Sequence, residues 1–210
     1  MHQLLIYFSI VSPLLVIFWG AKNKKHLDVS MRLIFYLSIA SFFSDIISLI
    51  LSKYDLNNLW IIQIWGLTQG ILLFLFFSTV IDISIKRIRA FLVLFIIYYV
   101  INSIFIEGLN QYNSLAMSIE AIIMIVLCFI YFHKLYTDEV GVFLERIPVF
   151  WVVIGILFYF SGALFSFLLS SDILSKAPDR FYNSWIFHNS VNIIKNILFA
   201  IGLWKVRAVA

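Results

Sequence analysis

Long apolar stretches separated by short polar loops run through the whole chain. Seven of them have the roughly 17–25 mostly apolar residues that a helix needs to cross a bilayer. We number them spans 1 to 7: 3–20, 31–52, 59–82, 89–106, 112–133, 148–171 and 184–205. The pattern predicts an all-α, seven-transmembrane-helix bundle forming one integral membrane domain over residues 1–210. Span 1 lacks a basic leading region and a small-residue cleavage site, so we expect it to be a span and not a signal peptide.

Composition agrees with this assignment. The chain is 63% hydrophobic and 12% charged, with a mean hydropathy of +1.02, whereas a soluble domain is about half apolar and about a quarter charged. No polar stretch is long enough to form a soluble catalytic or DNA-binding domain. A signal leaving the protein would therefore need a partner.

The basic residues of the loops predict the orientation, because cytoplasmic loops carry the excess of Lys and Arg. Three lie on one side, at Lys53, Lys176 and Arg180. Eleven lie on the other, at Lys22, Lys24, Lys25, Arg32, Lys86, Arg87, Arg89, Lys134, Arg146, Lys205 and Arg207. The bias predicts an outside N-terminus and a cytoplasmic C-terminus, in the cell membrane and specifically a bacterial inner membrane.

Span 7 carries a lysine near its middle, and a charge at that depth points to a functional site with a partner. His188, Asn192, Lys195 and Asn196 follow one another at i, i+4, i+7 and i+8, so they share one stripe of a helix. Asp45 in span 2 and Glu120 in span 5 lie at comparable depth. We expect one of them to pair with Lys195, and the sequence does not choose between the two.

These and other intramembrane polar residues predict an outward-opening pocket for a small ligand, because a few polar groups in an apolar cleft form such sites. The candidate ligand-binding residues are Asp45, Gln63, Gln69, Glu120, Tyr159, Trp185, His188, Asn192, Lys195 and Asn196. The expected aromatic walls are Trp60, Trp65, Trp185 and Tyr159. The competing interpretation is interhelical hydrogen bonds and a salt bridge that serve packing alone.

Small residues and one proline predict local packing. Pro13 is expected to kink span 1, with the hydroxyl of Ser9 or Ser12 satisfying the freed carbonyl. Close helix contacts are expected at four glycines of spans 3 and 6, namely Gly66, Gly70, Gly155 and Gly162.

No catalytic pattern is found. The single cysteine, Cys128, excludes an internal disulfide, and neither a GxSxG elbow nor an HExxH motif occurs. We therefore expect no enzyme activity, no metal and no cofactor, with retinal on Lys195 as the one exception considered.

Spans 3 and 7 align without gaps at an offset of 125 residues. Asn58, Trp60 and Ile61 match Asn183, Trp185 and Ile186. The alignment favours two parallel three-helix units joined by span 4, a 3+1+3 plan used by transporters. The alternative is that Trp and Asn simply prefer the membrane interface.

The stretches 159–165 and 188–205 resemble small seven-helix membrane proteins of Bacteroidota-type bacteria. The resemblance covers the last third of the chain. It implies the fold, the membrane location and a sensing or accessory role beside a membrane protein partner such as a sensor kinase.

Two further resemblances carry alternative functions. Lys195 resembles the retinal-binding lysine of microbial rhodopsins, although span 3 offers Gln63 and Gln69 where those proteins place a counter-ion. The 3+1+3 plan is similar to that of sugar transporters, which implies small-solute transport, but their proline pattern is absent. The leading hypothesis is a non-enzymatic sensor or ligand-binding subunit, followed by the transporter and then the retinal protein.

Overall fold

The computed structural model describes residues 2–109, 111–138, 143–176 and 178–209. At residues 2, 3, 85, 165, 168–176, 178–185, 208 and 209 it describes the backbone alone. The described part is all-α, without strands, as predicted. Its α-helices are α1 (His2–Val11), α2 (Pro13–Lys22), α3 (Val29–Lys53), α4 (Leu59–Val80), α5 (Ile85–Ile101), α6 (Ser114–Asp138), α7 (Pro148–Lys176) and α8 (Pro178–Val209).

Six helical segments of the described residues are long and apolar enough to cross a membrane. They are Leu4–Lys22, Val29–Lys53, Leu59–Val80, Lys86–Ile106, Ser114–Asp138 and Ile186–Arg207. The remaining predicted span, 148–171, falls on α7, whose described apolar part is the shorter Pro148–Leu164. The chain therefore has the helix lengths and composition of a multi-pass membrane protein.

Span 1 is interrupted where the sequence predicts it. Helix α1 ends at Val11 and α2 begins at Pro13, because proline has no N–H to donate to the carbonyl of Ser9 four residues earlier. The Ser12 hydroxyl donates to that same carbonyl at 2.7 Å. The helix is thus interrupted at the predicted proline, and Ser12 is the hydroxyl that satisfies the freed carbonyl.

The helices pack in chain order around a ring. Helix α3 packs on α2 and α4, α7 packs on α6 and α8, and α8 returns to α1 and α2. Helix α4 also contacts α6 directly, while α5 packs on α4. The ring brings polar faces from both halves of the chain to a common interior.

Glycines allow the closest of these approaches, as predicted. A Cβ atom at Gly66 would lie 2.4 Å from the Tyr99 hydroxyl, and one at Gly70 would lie 2.5 Å from the Phe95 ring. On α7, a Cβ at Gly155 or Gly162 would crowd side chains of α8 at 3.0 and 2.8 Å. These positions are therefore packing sites between helices.

Three side-chain amides of one seam join α8 to α1 and α2. Asn192 donates to the Ser9 hydroxyl at 2.9 Å, and Asn196 donates to the Ser12 hydroxyl at 2.7 Å. Near the other end of the seam, Asn23 donates to the carbonyl of Leu203 at 2.8 Å. These bonds close the ring between the first and last helices.

We expect Asn196→Leu to destabilise the folded protein by about 1 kcal/mol, the scale of interhelical hydrogen bonds in membranes. The amide is buried, so its loss also leaves the Ser12 hydroxyl with one partner fewer. Thermal unfolding in detergent, followed by tryptophan fluorescence, measures the effect. Ile197→Val, on the exposed side of α8, is the control, and equal melting of the two variants would contradict a stabilising seam.

Candidate functional site: an acidic cavity inside the helix ring

A cavity of about 600 Å³ lies inside the ring, at the end where α3 stops and α4, α6 and α8 start. Its wall combines side chains from α1, α3, α4, α6, α7 and α8. The volume lies within the roughly 300–1,000 Å³ of small-molecule sites.

Six of the ten candidate residues line this cavity: Asp45, Gln69, Glu120, Tyr159, His188 and Asn192. They come from five helices, α3, α4, α6, α7 and α8, and the ring packing brings them to one space. The grouping is that of a mostly apolar cleft with a few convergent polar groups.

Glu120 lies on α6 and is 1% exposed. Gln69 of α4 donates its amide to the Glu120 carboxyl at 3.3 Å. The contact bridges the two helices that meet across the ring, so it places the carboxyl in the wall between them.

Asp45 lies on α3, where the Ser41 hydroxyl one turn earlier hydrogen-bonds its carboxyl. Its electrostatic partner is the ammonium of Lys195 on α8. Lys195 does not appear in the cavity wall; its Nζ atom lies 4.3 Å from the centroid of the Tyr159 ring and 5.9 Å from that of Phe199. Of the two carboxylates considered from sequence, Asp45 is thus the one that interacts with Lys195.

Tyr159 lines the cavity and contacts Lys195, which does not line it. The tyrosine is buried and contacts His188 edge-on, with ring centroids 5.4 Å apart. Phe167 also contacts the histidine, with ring centroids 5.5 Å apart. Lys195 therefore contacts Tyr159, and Tyr159 contacts His188. The tyrosine and the histidine both line the cavity.

The other candidate residues lie elsewhere. Gln63 donates to the carbonyls of Gly108 and Gln111 at 3.0 and 2.9 Å, so it holds the α5–α6 connection. Asn196 belongs to the α8 seam described above. The side chain of Trp185 lies outside the described residues. Trp65 lines the cavity, but Trp60 is 44% exposed and does not, because it lies on a different face of α4.

Sequence reasoning missed a stripe of hydroxyls on α3. Ser44, Ser48 and Ser52 line the cavity beside Asp45. Their spacing of four residues is a detectable helical signal. Tyr112, just before α6, also lines the wall, and no local pattern marks it.

A second cavity of about 440 Å³ lies at the opposite end of the ring. Its polar lining includes Asp28, Ser30, Lys134 and Asp138. The residues of α4 that line the two cavities, Gln69 and Thr79, are roughly 15 Å apart along the helix. Buried side chains fill the intervening turns, including Leu73, Phe74, Phe76, Phe77, Met124, Cys128, Val153 and Ile156.

Comparison of the chain with protein-family models, curated proteins and solved structures gives no significant match. The chemistry of the two cavities is therefore the guide to function.

Proposed function

We propose that the protein is a non-enzymatic, seven-span membrane receptor that binds a small ligand in the larger cavity and signals through a partner. In this proposal the N-terminus and the larger cavity face outside, and α7 crosses the membrane as span 6, so that the chain has seven spans. The basic loops face the cytoplasm of a bacterial cell and report to a membrane protein such as a sensor kinase.

The observation that carries the proposal is the cavity of about 600 Å³ with its convergent polar groups. If polar residues served packing alone, they would be expected to pair across tight helix contacts. The amides of Asn192 and Asn196 do so, but the carboxyls of Asp45 and Glu120 also line a cavity that is large enough for a small molecule. A ligand that fills the space would contact α3, α6 and α8 together and could change how they pack.

A cavity-filling variant tests the proposal. Ser44 lies on the cavity wall, whereas Ile47 lies on the same helix and is 39% exposed. We expect native mass spectrometry of the mildly solubilised protein to detect a bound small molecule that Ser44→Phe loses and Ile47→Phe retains. The added ring occupies the space that the ligand needs.

An unliganded wild type that melts at the same temperature as Ser44→Phe would overturn the proposal and assign the polar residues to packing. The mass of a bound species also separates the functions considered from sequence. Retinal would colour the protein and would be lost in Lys195→Ala.

Transport is the second candidate, and the two cavities at opposite ends favour it. Helices α3, α4, α6 and α7 contribute to both walls, and a layer of buried side chains separates the cavities, as an alternating-access path requires. The 3+1+3 repeat would supply the two moving halves. Counterflow of a labelled solute in liposomes decides the question, because a receptor gives no flux.

A further inference from the structure

The larger cavity has an acidic wall. Among the described residues that line it, Asp45 and Glu120 are acidic and none is Lys or Arg. The buried ammonium of Lys195 contacts the ring of Tyr159 and is not part of the lining. Apart from His188, the ionisable groups that face the cavity are therefore acidic.

The two carboxylates differ in their partners. Asp45 interacts electrostatically with Lys195 and hydrogen-bonds Ser41. Within the described part of the chain, the partner of Glu120 is the neutral amide of Gln69, at 3.3 Å. A buried carboxylate without a cation is costly in an apolar environment, so a cation supplied from the cavity would stabilise it.

The remainder of the wall also suits a cation with an apolar body. Trp65, Tyr112, Tyr159 and Phe167 contribute aromatic rings, and aromatic faces attract ammonium groups. Met117, Ile62 and Leu59 add apolar surface. The Tyr159 ring already contacts one ammonium, that of Lys195.

We propose that the ligand of this cavity is a small organic ammonium ion, with its charged nitrogen at the carboxylate of Glu120 and its apolar part against Trp65 and Met117. The inference rests on the receptor function proposed above and names its ligand class. In this arrangement Glu120 is the residue that determines specificity. Asp45 continues to interact electrostatically with Lys195.

The test uses three probes of nearly equal shape: 2-phenylethylammonium, the neutral 2-phenylethanol and the anionic phenylacetate. We expect calorimetric titration of the wild-type protein in nanodiscs to give binding of the ammonium about ten- to a hundredfold tighter than that of the alcohol. This is the range of a hydrogen bond to a charged group. Phenylacetate should bind more weakly still.

Glu120→Gln keeps the shape of the side chain and should remove the difference between ammonium and alcohol. The matched control is Glu107→Gln, because Glu107 accepts from the backbone N–H of Ser114 and Leu115 at the start of the same helix, outside the cavity. This control should retain the full preference. The comparison of probes on the wild type needs no variant, so it holds even if Glu120→Gln folds poorly.

Equal binding of alcohol and ammonium, or a preference retained in Glu120→Gln, overturns the ammonium inference. If the alcohol or the anion binds and Ser44→Phe blocks it, the receptor function stands without this ligand class. If no compound binds and native mass spectrometry shows an empty cavity, both proposals fail.

Discussion

Replacement of Lys195 by methionine is expected to lower the free energy of unfolding by about 2 kcal/mol, the scale of a desolvated cation–π contact, and to leave the buried carboxyl of Asp45 without the positive charge that acts on it. Lys195 is 6% exposed, and its ammonium interacts with Asp45 and the ring of Tyr159. Methionine preserves the apolar stem, so the loss isolates the charge. Thermal and denaturant unfolding in detergent, followed by tryptophan fluorescence, measure it.

A second substitution, made in the Lys195→Met background, identifies the carboxylate that interacts with Lys195. Asp45→Asn in the Lys195→Met background should restore part of the lost stability, because a pair replaced as a whole costs much less than half a pair. Glu120→Gln in the same background should not, since Glu120 hydrogen-bonds Gln69 instead. Rescue by Glu120→Gln and not by Asp45→Asn would contradict the assignment of Asp45.

The Lys195→Met variant also tests the proposed receptor function. In the proposed receptor, loss of the Lys195 charge frees Asp45 to attract a cation. We therefore expect Lys195→Met to abolish the signalling response even at a temperature where the protein remains folded. Loss of expression alone, with the response intact in the residual protein, would assign Lys195 to packing.

Gly202→Ala is expected to destabilise the protein by about 2 kcal/mol, within the range for inserting a methyl group into a packed interface. A Cβ atom at Gly202 would lie 2.9 Å from the carbonyl oxygen of Pro148 and 2.9 Å from a methyl group of Val152. The carbonyl belongs to the backbone of the first turn of α7, so it cannot rotate away. The α7–α8 interface would have to separate.

Gly155→Ala is the matched control at the same interface. The nearest neighbours of its Cβ are ring atoms of Phe199 at 3.0 Å, which can shift by a few tenths of an ångström. Both substitutions gain the same intrinsic helix propensity, about 1 kcal/mol, so their difference in melting temperature reports packing. A larger loss at Gly155 than at Gly202 would contradict this ranking.

The positions of the helices were predictable from the sequence, because the hydropathy of each span depends only on the residues within it. Spans 2 and 3, predicted at 31–52 and 59–82, are helices at Val29–Lys53 and Leu59–Val80. Span 4 is less regular, since its last turn is the π-helix Asn102–Ile106. There Asn102 hydrogen-bonds Asn113 and Glu107, contacts that depend on the α5–α6 connection.

The candidate site was predictable in part. The expectation that the intramembrane polar residues of spans 2, 3, 5, 6 and 7 converge agrees with the positions of Asp45, Gln69, Glu120, Tyr159 and His188 in one wall. The structural role of each polar residue could not be predicted from hydropathy. Gln63 and Gln69 are on the same helix, yet one holds a loop and the other holds Glu120.

Local properties of the sequence therefore determined the helices and the helix break at Pro13, because hydropathy and proline geometry act within one segment. Tertiary packing decided which carboxylate interacts with Lys195 and placed its ammonium against the Tyr159 ring. It also formed the acidic cavity wall to which Glu120 contributes. Those outcomes depend on the rotation and neighbours of α3, α6 and α8 in the ring. Distances between helices are set only when all the helices pack together.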